Sequence, residues 1–110
     1  MINQEDNNST REEQIHKFLH SYDFMRIGQA INHNQWQAAA MNIQRMTRTA
    51  KELELSTFDR PFTGLRQAIN RRDLEGAKQA LAMVISKRVM LLKKENNLPL
   101  KKFISVSLKT

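Results

Sequence analysis

The sequence predicts an all-α protein, and three observations indicate this fold class. Good helix formers (Ala, Gln, Leu, Met, Lys and Arg) dominate the 110 residues. Only three glycines and two prolines interrupt the chain, so its elements should be long and its turns few. Apolar residues recur at intervals of three and four, with few of the β-branched runs typical of strands. We expect an antiparallel, up-down four-helix bundle with an additional N-terminal helix.

The chain divides into three parts. Residues 1–10, rich in Asn, Asp, Glu and Ser, are expected to be a disordered lead, residues 11–95 the bundle domain, and residues 96–110 a flexible C-terminal tail. Apolar residues of the tail alternate partly with Ser105 and Ser107, a pattern typical of a strand (Phe103, Ile104, Val106, Leu108). Such a tail can dock on the bundle, pair with another chain, or stay mobile.

The first two helices are predicted from their caps and apolar stripes. Ser9 or Thr10 should cap the first helix, and Asp23 the second. The first stripe consists of Ile15, Phe18, Leu19 and Tyr22, and the second of Phe24, Ile27, Ala30 and Ile31. Asparagine tolerates the left-handed conformation, so the second helix should end at residues 32–34.

The third helix, predicted over about residues 34–55, has the most regular pattern. Two sets recur every seven residues and form a bundle seam: Trp36, Ile43, Ala50 and Ala39, Met46, Leu53. Pro61 should lie in the first turn of the fourth helix behind an Asp59 cap, and Asp73 should cap the fifth. The inward residues are Phe62, Leu65, Ala68 and Ile69 in the fourth helix, and Leu74, Ala77, Leu81, Val84, Ile85, Met90, Leu91 and Leu92 in the fifth. Asn96, Asn97 and Pro99 should end the fifth helix.

The tetrapeptide QAIN occurs twice, at residues 29–32 and 67–70. At the same offset of 38 residues, Phe24 matches Phe62, Ile43 matches Leu81, and most other matched positions are also expected in the core. This favours a packing repeat of two helical hairpins over a binding motif. The period also fits a short helical solenoid, but only two copies are present and such arrays need about three.

Composition limits the possible functions. There is no cysteine, which excludes disulfides, thiolate zinc sites and a cysteine nucleophile. The N-terminus lacks the pattern of a signal peptide, and no apolar run reaches the roughly 18 residues of a membrane span. We therefore expect a cytoplasmic protein that does not enter a membrane.

The net charge of +7 is unevenly distributed. Residues 1–23 are acidic, whereas the body and the tail are basic. Such a basic body is consistent with an acidic partner, either nucleic acid or protein, and also with an ordinary solvated surface. One hypothesis is nucleic-acid binding through the basic body (Arg71, Arg72, Lys93, Lys94, Lys101, Lys102). Few aromatic residues are left over from the core for base stacking, which disfavours it.

The order of elements resembles the histidine-containing phosphotransfer (HPt) domains of bacterial two-component signalling. The family motif reads His-x-Leu-Lys-Gly-x-Ala-x-x-x-Gly, and it aligns with QRMTRTAKELE, residues 44–54. Met46 and Ala50 match its buried positions, and LRQAINRRDLEGAKQAL, residues 65–81, is similar to the closing hairpin of the family. The resemblance covers about residues 12–95 and implies an N-terminal helix before a four-helix bundle.

The departures from the family motif fall on its chemistry. Gln44 stands at the phospho-acceptor histidine, and an amide cannot carry a phosphoryl group. Thr47 replaces the lysine, and Arg48 replaces the glycine that makes room for the partner. The resemblance therefore implies an HPt-like module without phosphotransfer.

The expected function is a non-catalytic interaction or regulatory module in signal transduction. One surface of the third helix would meet an acidic partner such as a response-regulator domain (Gln37, Met41, Gln44, Arg45, Arg48, Lys51). A solvated helix face is the competing interpretation. The oligomeric state is open, and a homodimer is one alternative.

No enzyme or cofactor is predicted. The chain has no glycine-rich phosphate loop, no Glu-x-x-His pair and no nucleophile–base grouping that can be placed in one pocket. His16 and His20 have the i, i+4 spacing of metal ligands, but no third ligand is evident, so we expect a structural or solvated role. His33 is expected in a polar turn.

Overall fold

The computed structural model describes residues 10–97, with side chains described through residue 94. This part of the chain is helical and contains no strand. Its helices are α1 (Arg11–Leu19), α2 (Asp23–Asn32), α3 (Trp36–Glu52), α4 (Asp59–Arg71) and α5 (Leu74–Asn97), with a 3₁₀ turn (Ser56–Phe58) directly before α4. The all-α prediction is confirmed. The disordered lead, apart from Thr10, and the tail with its strand-like pattern lie outside the described residues, except that α5 continues to Asn97, past the expected boundary at 95.

The helices form a bundle around one apolar core. Helix α2 packs against α3, α3 against α4, α4 against α5 and α5 against α2, while α1 lies against α5. The side chains buried most completely come from every helix and from the 3₁₀ turn (Leu19, Ile27, Ile31, Ile43, Met46, Phe58, Leu65, Val84). Both seven-residue sets of the third helix (Trp36, Ile43, Ala50 and Ala39, Met46, Leu53) are buried, except for the half-buried Trp36. In α5, by contrast, Met90 is exposed, whereas Ala77 and Val84 are fully buried.

Four phenylalanines join α1, α2, the 3₁₀ turn and α4 at one end of the core. Phe58 is stacked on Phe62 with ring centroids 4.8 Å apart, and it meets Phe18 edge-on at 5.8 Å. Phe24 lies 5.4 Å from Phe18 and 6.0 Å from Phe58. Offset and edge-on aromatic pairs stabilise a core beyond the area they bury. Phe58 thus positions the start of α4 against α1 and α2.

Two arginines fasten α1 across this end of the bundle. Arg11 donates from Nε and Nη2 to the carbonyl oxygen of Leu53, at 3.1 and 2.7 Å, just past the end of α3. Arg88 of α5 donates from Nε to the Leu19 carbonyl oxygen at 2.7 Å. Each guanidinium satisfies a carbonyl group that has no partner within its helix, and a cation is favourable at a helix C-terminus.

The same turn ends α2 and α4 at the 38-residue offset of the sequence repeat. Asn34 and Arg72 adopt left-handed conformations, with φ of 57° and 56°. In both hairpins the following amide donates to the alanine carbonyl of QAIN, from Gln35 to Ala30 at 2.8 Å and from Asp73 to Ala68 at 2.9 Å. These bonds define the Schellman motif. Ala30, Ile31, Ala68 and Ile69 are buried, whereas Gln29, Asn32, Gln67 and Asn70 are exposed, as the packing repeat predicts.

Two of the four predicted caps are confirmed. Thr10 forms a capping box with Glu13, in which Thr10 Oγ1 accepts from the Glu13 amide at 3.1 Å and the Thr10 amide donates to Glu13 Oε1 at 2.9 Å. Asp73 Oδ1 accepts from the amide of Gly76 at 3.0 Å.

The other two cap predictions are wrong. Tyr22 and Phe58 occupy the cap positions of α2 and α4, neither with a side-chain cap bond, and Asp23 and Asp59 are the first helical residues. The Asp23 carboxylate is held by Arg45 instead. Tyr22 was also expected in the stripe of α1, but α1 ends at Leu19 and the Tyr22 side chain is 69% exposed.

Candidate functional site

The predicted interaction surface lies on the outer face of α3. Gln37, Met41, Gln44, Arg48 and Lys51 are all exposed, Met41 by 63%. Their spacing of three and four residues places them in one stripe along the helix. We call these five residues the α3 surface. Gln44 is the midpoint of the 17-residue helix.

Arg45, the sixth predicted residue of this surface, is held within the molecule. Its Nη2 lies 3.1 Å from Asp23 Oδ1 and 2.8 Å from Asn42 Oδ1. The Asp23 side chain is only 20% exposed and that of Arg45 is 53% exposed. Position 45 is turned toward α2, so its charge joins the first hairpin and is partly neutralised there. Arg45 therefore lies beside the α3 surface with part of its charge paired, and its contact with a partner stays a prediction.

The side chains that depart from the phosphotransfer motif differ in their accessibility. Thr47 is half-buried and its Oγ1 donates to the Ile43 carbonyl oxygen of its own helix at 2.7 Å. It therefore presents no group to an approaching anion. Arg48 is exposed and places a long cationic side chain one turn from Gln44. Met46 and Ala50, which match the buried positions of the motif, are buried.

A shallow groove between α1 and α3 was not predicted from the sequence. It is lined by groups of both signs, including Lys17 and Arg45 beside Asp23 and Glu52. The Ser21 hydroxyl is buried there without a hydrogen-bond partner. Because the charges balance, the groove favours no particular ligand. It follows from the position of α1, which Arg11 and Arg88 set through bonds to backbone carbonyls.

The histidines do not assemble a metal site within residues 10–97. His16 and His20 pack with ring centroids 4.2 Å apart, and His33 Nδ1 lies within hydrogen-bond distance of the Gln29 carbonyl oxygen, at 2.8 Å. In the described part of the chain, no three His, Asp or Glu side chains form a group that could hold a metal ion. In the same range, no helix has both the length and the apolar character required to cross a membrane.

Comparison with protein-family models, with curated proteins and with solved structures gave no match. The functional interpretation therefore depends on the surfaces described above.

Proposed function

We propose that this chain is a non-catalytic protein-interaction module of the HPt-like type, which binds an acidic protein surface through α3. The observation that carries the proposal is the position of Gln44, exposed at the middle of α3 and followed on the same face by Arg48 and Lys51, one and two turns further on. In a phosphotransfer domain this is where a receiver domain would approach, with its acidic phosphorylation pocket. Arginine and lysine beside an amide can hold such a surface without accepting a phosphoryl group.

The packing of the helices supports the bundle geometry that this function requires. Each of α2 to α5 packs on two of the others in a closed cycle. Connections of a few residues join α2 to α3 and α4 to α5, and such short loops join antiparallel neighbours. We infer an up-down four-helix bundle, with α1 as the additional N-terminal helix across one end. A short solenoid is disfavoured because its first and last helices do not pack together.

A binding experiment with receiver domains tests the proposal. Purified receiver domains from the source organism would be titrated against the chain carrying ¹³C-methyl methionine, with the Met41 methyl as reporter of α3. We expect the Met41 signal to shift while that of the buried Met46 stays unchanged. Incubation with the phosphorylated receiver domain should leave the chain unlabelled. Labelling, or no binding by any receiver domain, would contradict the proposal.

Charge reversal on α3 separates a specific surface from a general effect of net charge. Arg48→Glu with Lys51→Glu should weaken binding at least tenfold, since both cations lie at the proposed contact. The matched control is Lys78→Glu with Lys93→Glu, which changes the net charge equally on exposed positions of α5. The control should bind within threefold of the unaltered chain. Equal loss in both variants would show that only net charge matters.

Nucleic-acid binding is the second hypothesis, and a gel shift with charge-reversal variants of the chain tests it. Arg71, Arg72, Lys93 and Lys94 are exposed cations that could contact phosphates. Within residues 10–94, however, Tyr22 is the one strongly exposed aromatic side chain, which leaves little for base stacking. A gel shift with a steep salt dependence, weakened by Arg71→Glu with Lys93→Glu but not by Arg48→Glu with Lys51→Glu, would favour nucleic acid over an acidic protein.

A further inference from the structure

A strip of apolar side chains is exposed where α2 packs against α5. Two contacts set the register of this pair. A methyl group built on Gly28 would lie 3.5 Å from Leu81 Cδ2, and the Arg88 guanidinium lies 5.2 Å from the centre of the Phe24 ring. A step backward along α2 therefore corresponds to a step forward along α5, so the two helices are antiparallel.

The register brings four side chains into one strip. Met25 lies one turn before Gly28 and Ile85 lies one turn after Leu81, so they face each other across the helix pair. One further turn in each direction, the same register predicts that Tyr22, the cap residue of α2, lies near Val89. We call the strip the α2–α5 seam (Tyr22, Met25, Ile85, Val89). Tyr22 is 69%, Met25 56% and Val89 41% exposed, while Ile85 is half-buried against the core.

The seam has the composition of an interface. Tyrosine and methionine are enriched at the centres of protein interfaces. The α3 surface offers one large exposed apolar side chain, Met41, and is otherwise polar. The seam is thus the more apolar of the two surfaces, and it lies on different helices.

The charge around the seam selects among possible occupants. Helices α2 and α5 together contain six cations (Arg26, Lys78, Lys87, Arg88, Lys93, Lys94), whereas their three acidic residues, Asp23, Glu75 and Glu95, lie at the helix ends. Asp23, at the start of α2, is paired with Arg45. A second copy presents the same cations beside its own seam, so seam-to-seam pairing of two copies is disfavoured. The chain's own residues 98–110 contain three lysines and no acidic residue, so the same argument disfavours them.

We propose that the α2–α5 seam binds an acidic amphipathic helix of a partner protein. Two packed helices leave a shallow channel between them, and a third helix can lay its apolar face in it with anchors at i, i+3 or i+4, and i+7. Met25 and Val89 contact those anchors, while the acidic residues of the partner face the lysines of α5. The seam is independent of the α3 surface, and each carries its own methionine as a reporter.

A synthetic peptide tests this directly. The probe is an 18-residue helix with leucines on one face and glutamates on the others, compared with a scrambled peptide of identical composition. We expect the ¹³C-methyl signal of Met25 to shift on titration and those of Met41 and of Met83, exposed elsewhere on α5, to stay. The scrambled peptide should bind at least tenfold more weakly, since it has the charge but not the apolar stripe. A peptide with lysine in place of glutamate should not bind.

Substitutions on the seam provide the second arm. Met25→Ala with Val89→Ala should weaken binding about tenfold, typical of the loss of anchor contacts. Met83→Ala is the matched control, because Met83 is 55% exposed but outside the seam, and it should bind unchanged. Circular dichroism checks that each variant is folded, and Tyr22→Ala replaces the double variant if that one is not. Equal binding of the scrambled peptide, or unchanged binding by a folded seam variant, would overturn the proposal.

The two alternative occupants of the seam, residues 98–110 of the same chain and a second copy, are tested on the full chain without peptide. The chain has no cysteine, so Ser107→Cys accepts a single spin label between two apolar residues of the C-terminal segment. Broadening of the Met25 methyl by this label within one molecule would assign the seam to that segment and overturn the proposal. Sedimentation of a dimer that Met25→Ala dissociates would assign it to a second copy. A shift at Met41 but not at Met25 would place the peptide on the α3 surface and leave only the function proposed above.

Discussion

Substituting glycine at the three left-handed turn residues tests how the helices end. Asn34, Glu54 and Arg72 have φ of 57°, 58° and 56°, and all three turns share one bond pattern. A residue with a Cβ pays a steric cost of roughly 1–2 kcal/mol in this conformation, but asparagine tolerates it and glycine avoids it. The three positions therefore form a graded series within one molecule.

The expected gain at Arg72 follows from two opposing terms. Arg72→Gly removes the steric cost. Glycine also raises the conformational entropy of the unfolded chain, which lowers the free energy of unfolding by about 0.5–1 kcal/mol. The net expectation is a gain of about 0.5–1 kcal/mol in the free energy of unfolding, which for a domain of this size raises Tm by roughly 2–6 °C. Glu54→Gly should gain a similar amount, because its contact with Arg11 spans 4.0 Å and its side chain is 81% exposed.

Urea denaturation followed by circular dichroism measures these differences, provided the slope with denaturant stays constant. Asn34→Gly is the internal control and should change stability by less than about 0.3 kcal/mol, because asparagine already adopts this conformation at little cost. If Arg72→Gly destabilises the protein, or if Asn34→Gly stabilises it as much as Arg72→Gly does, the argument from backbone strain is refuted.

Three further substitutions test the core and the attachment of α1. Arg88→Ala should cost about 2 kcal/mol, because it removes the bond to the Leu19 carbonyl and the contact with the Phe24 ring; thermal unfolding compared with exposed Lys93→Ala checks it. Phe58→Ala should cost about 3–5 kcal/mol, since this ring is fully buried, and a loss below about 1 kcal/mol in urea unfolding would contradict its position. Thr10→Ala should cost about 1 kcal/mol through loss of the capping box, whereas Thr10→Ser should not; equal stability of the two variants would count against the cap.

The sequence predicted the fold class and most of the core because both depend on local periodicity. Spacings of three, four and seven residues place Ile43, Met46 and Ala50 on one face of a helix whatever the tertiary structure, and all three are buried. The cap predictions for Asp23 and Asp59 are wrong for a different reason. Asp23 has a typical cap sequence, but the carboxylate is closer to Arg45, 22 residues away, and that ion pair replaces the local bond.

The candidate sites were less predictable, because they depend on how helices are arranged relative to one another. The stripe of Gln44, Arg48 and Lys51 lies on one helix and could be read from spacing. The α2–α5 seam joins Met25 to Val89, 64 residues apart, and nothing in the local pattern distinguishes Met25 from a solvated position. Val89 lies one turn beyond Ile85 and resembles a continuation of the core stripe. Val89 is nevertheless 41% exposed.

The repeated QAIN has a structural explanation that requires no ligand. In each copy the alanine carbonyl accepts the hydrogen bond from the residue that follows the left-handed one, while the alanine and isoleucine side chains face the core.

The end of α3 makes the same turn with an unrelated sequence. Leu55 donates to the Ala50 carbonyl at 2.8 Å, and Ala50 is again a buried alanine. What the three turns share is a small buried residue four positions before the left-handed one, because a larger side chain there would obstruct the returning chain. Ala30→Leu, Ala50→Leu and Ala68→Leu should therefore each destabilise the bundle by about 1–3 kcal/mol in urea unfolding, through overpacking. Leucine at the exposed Gln67, within the same tetrapeptide, should change stability by less than about 0.5 kcal/mol. A larger loss at Gln67 than at Ala68 would contradict the explanation of the repeat by packing.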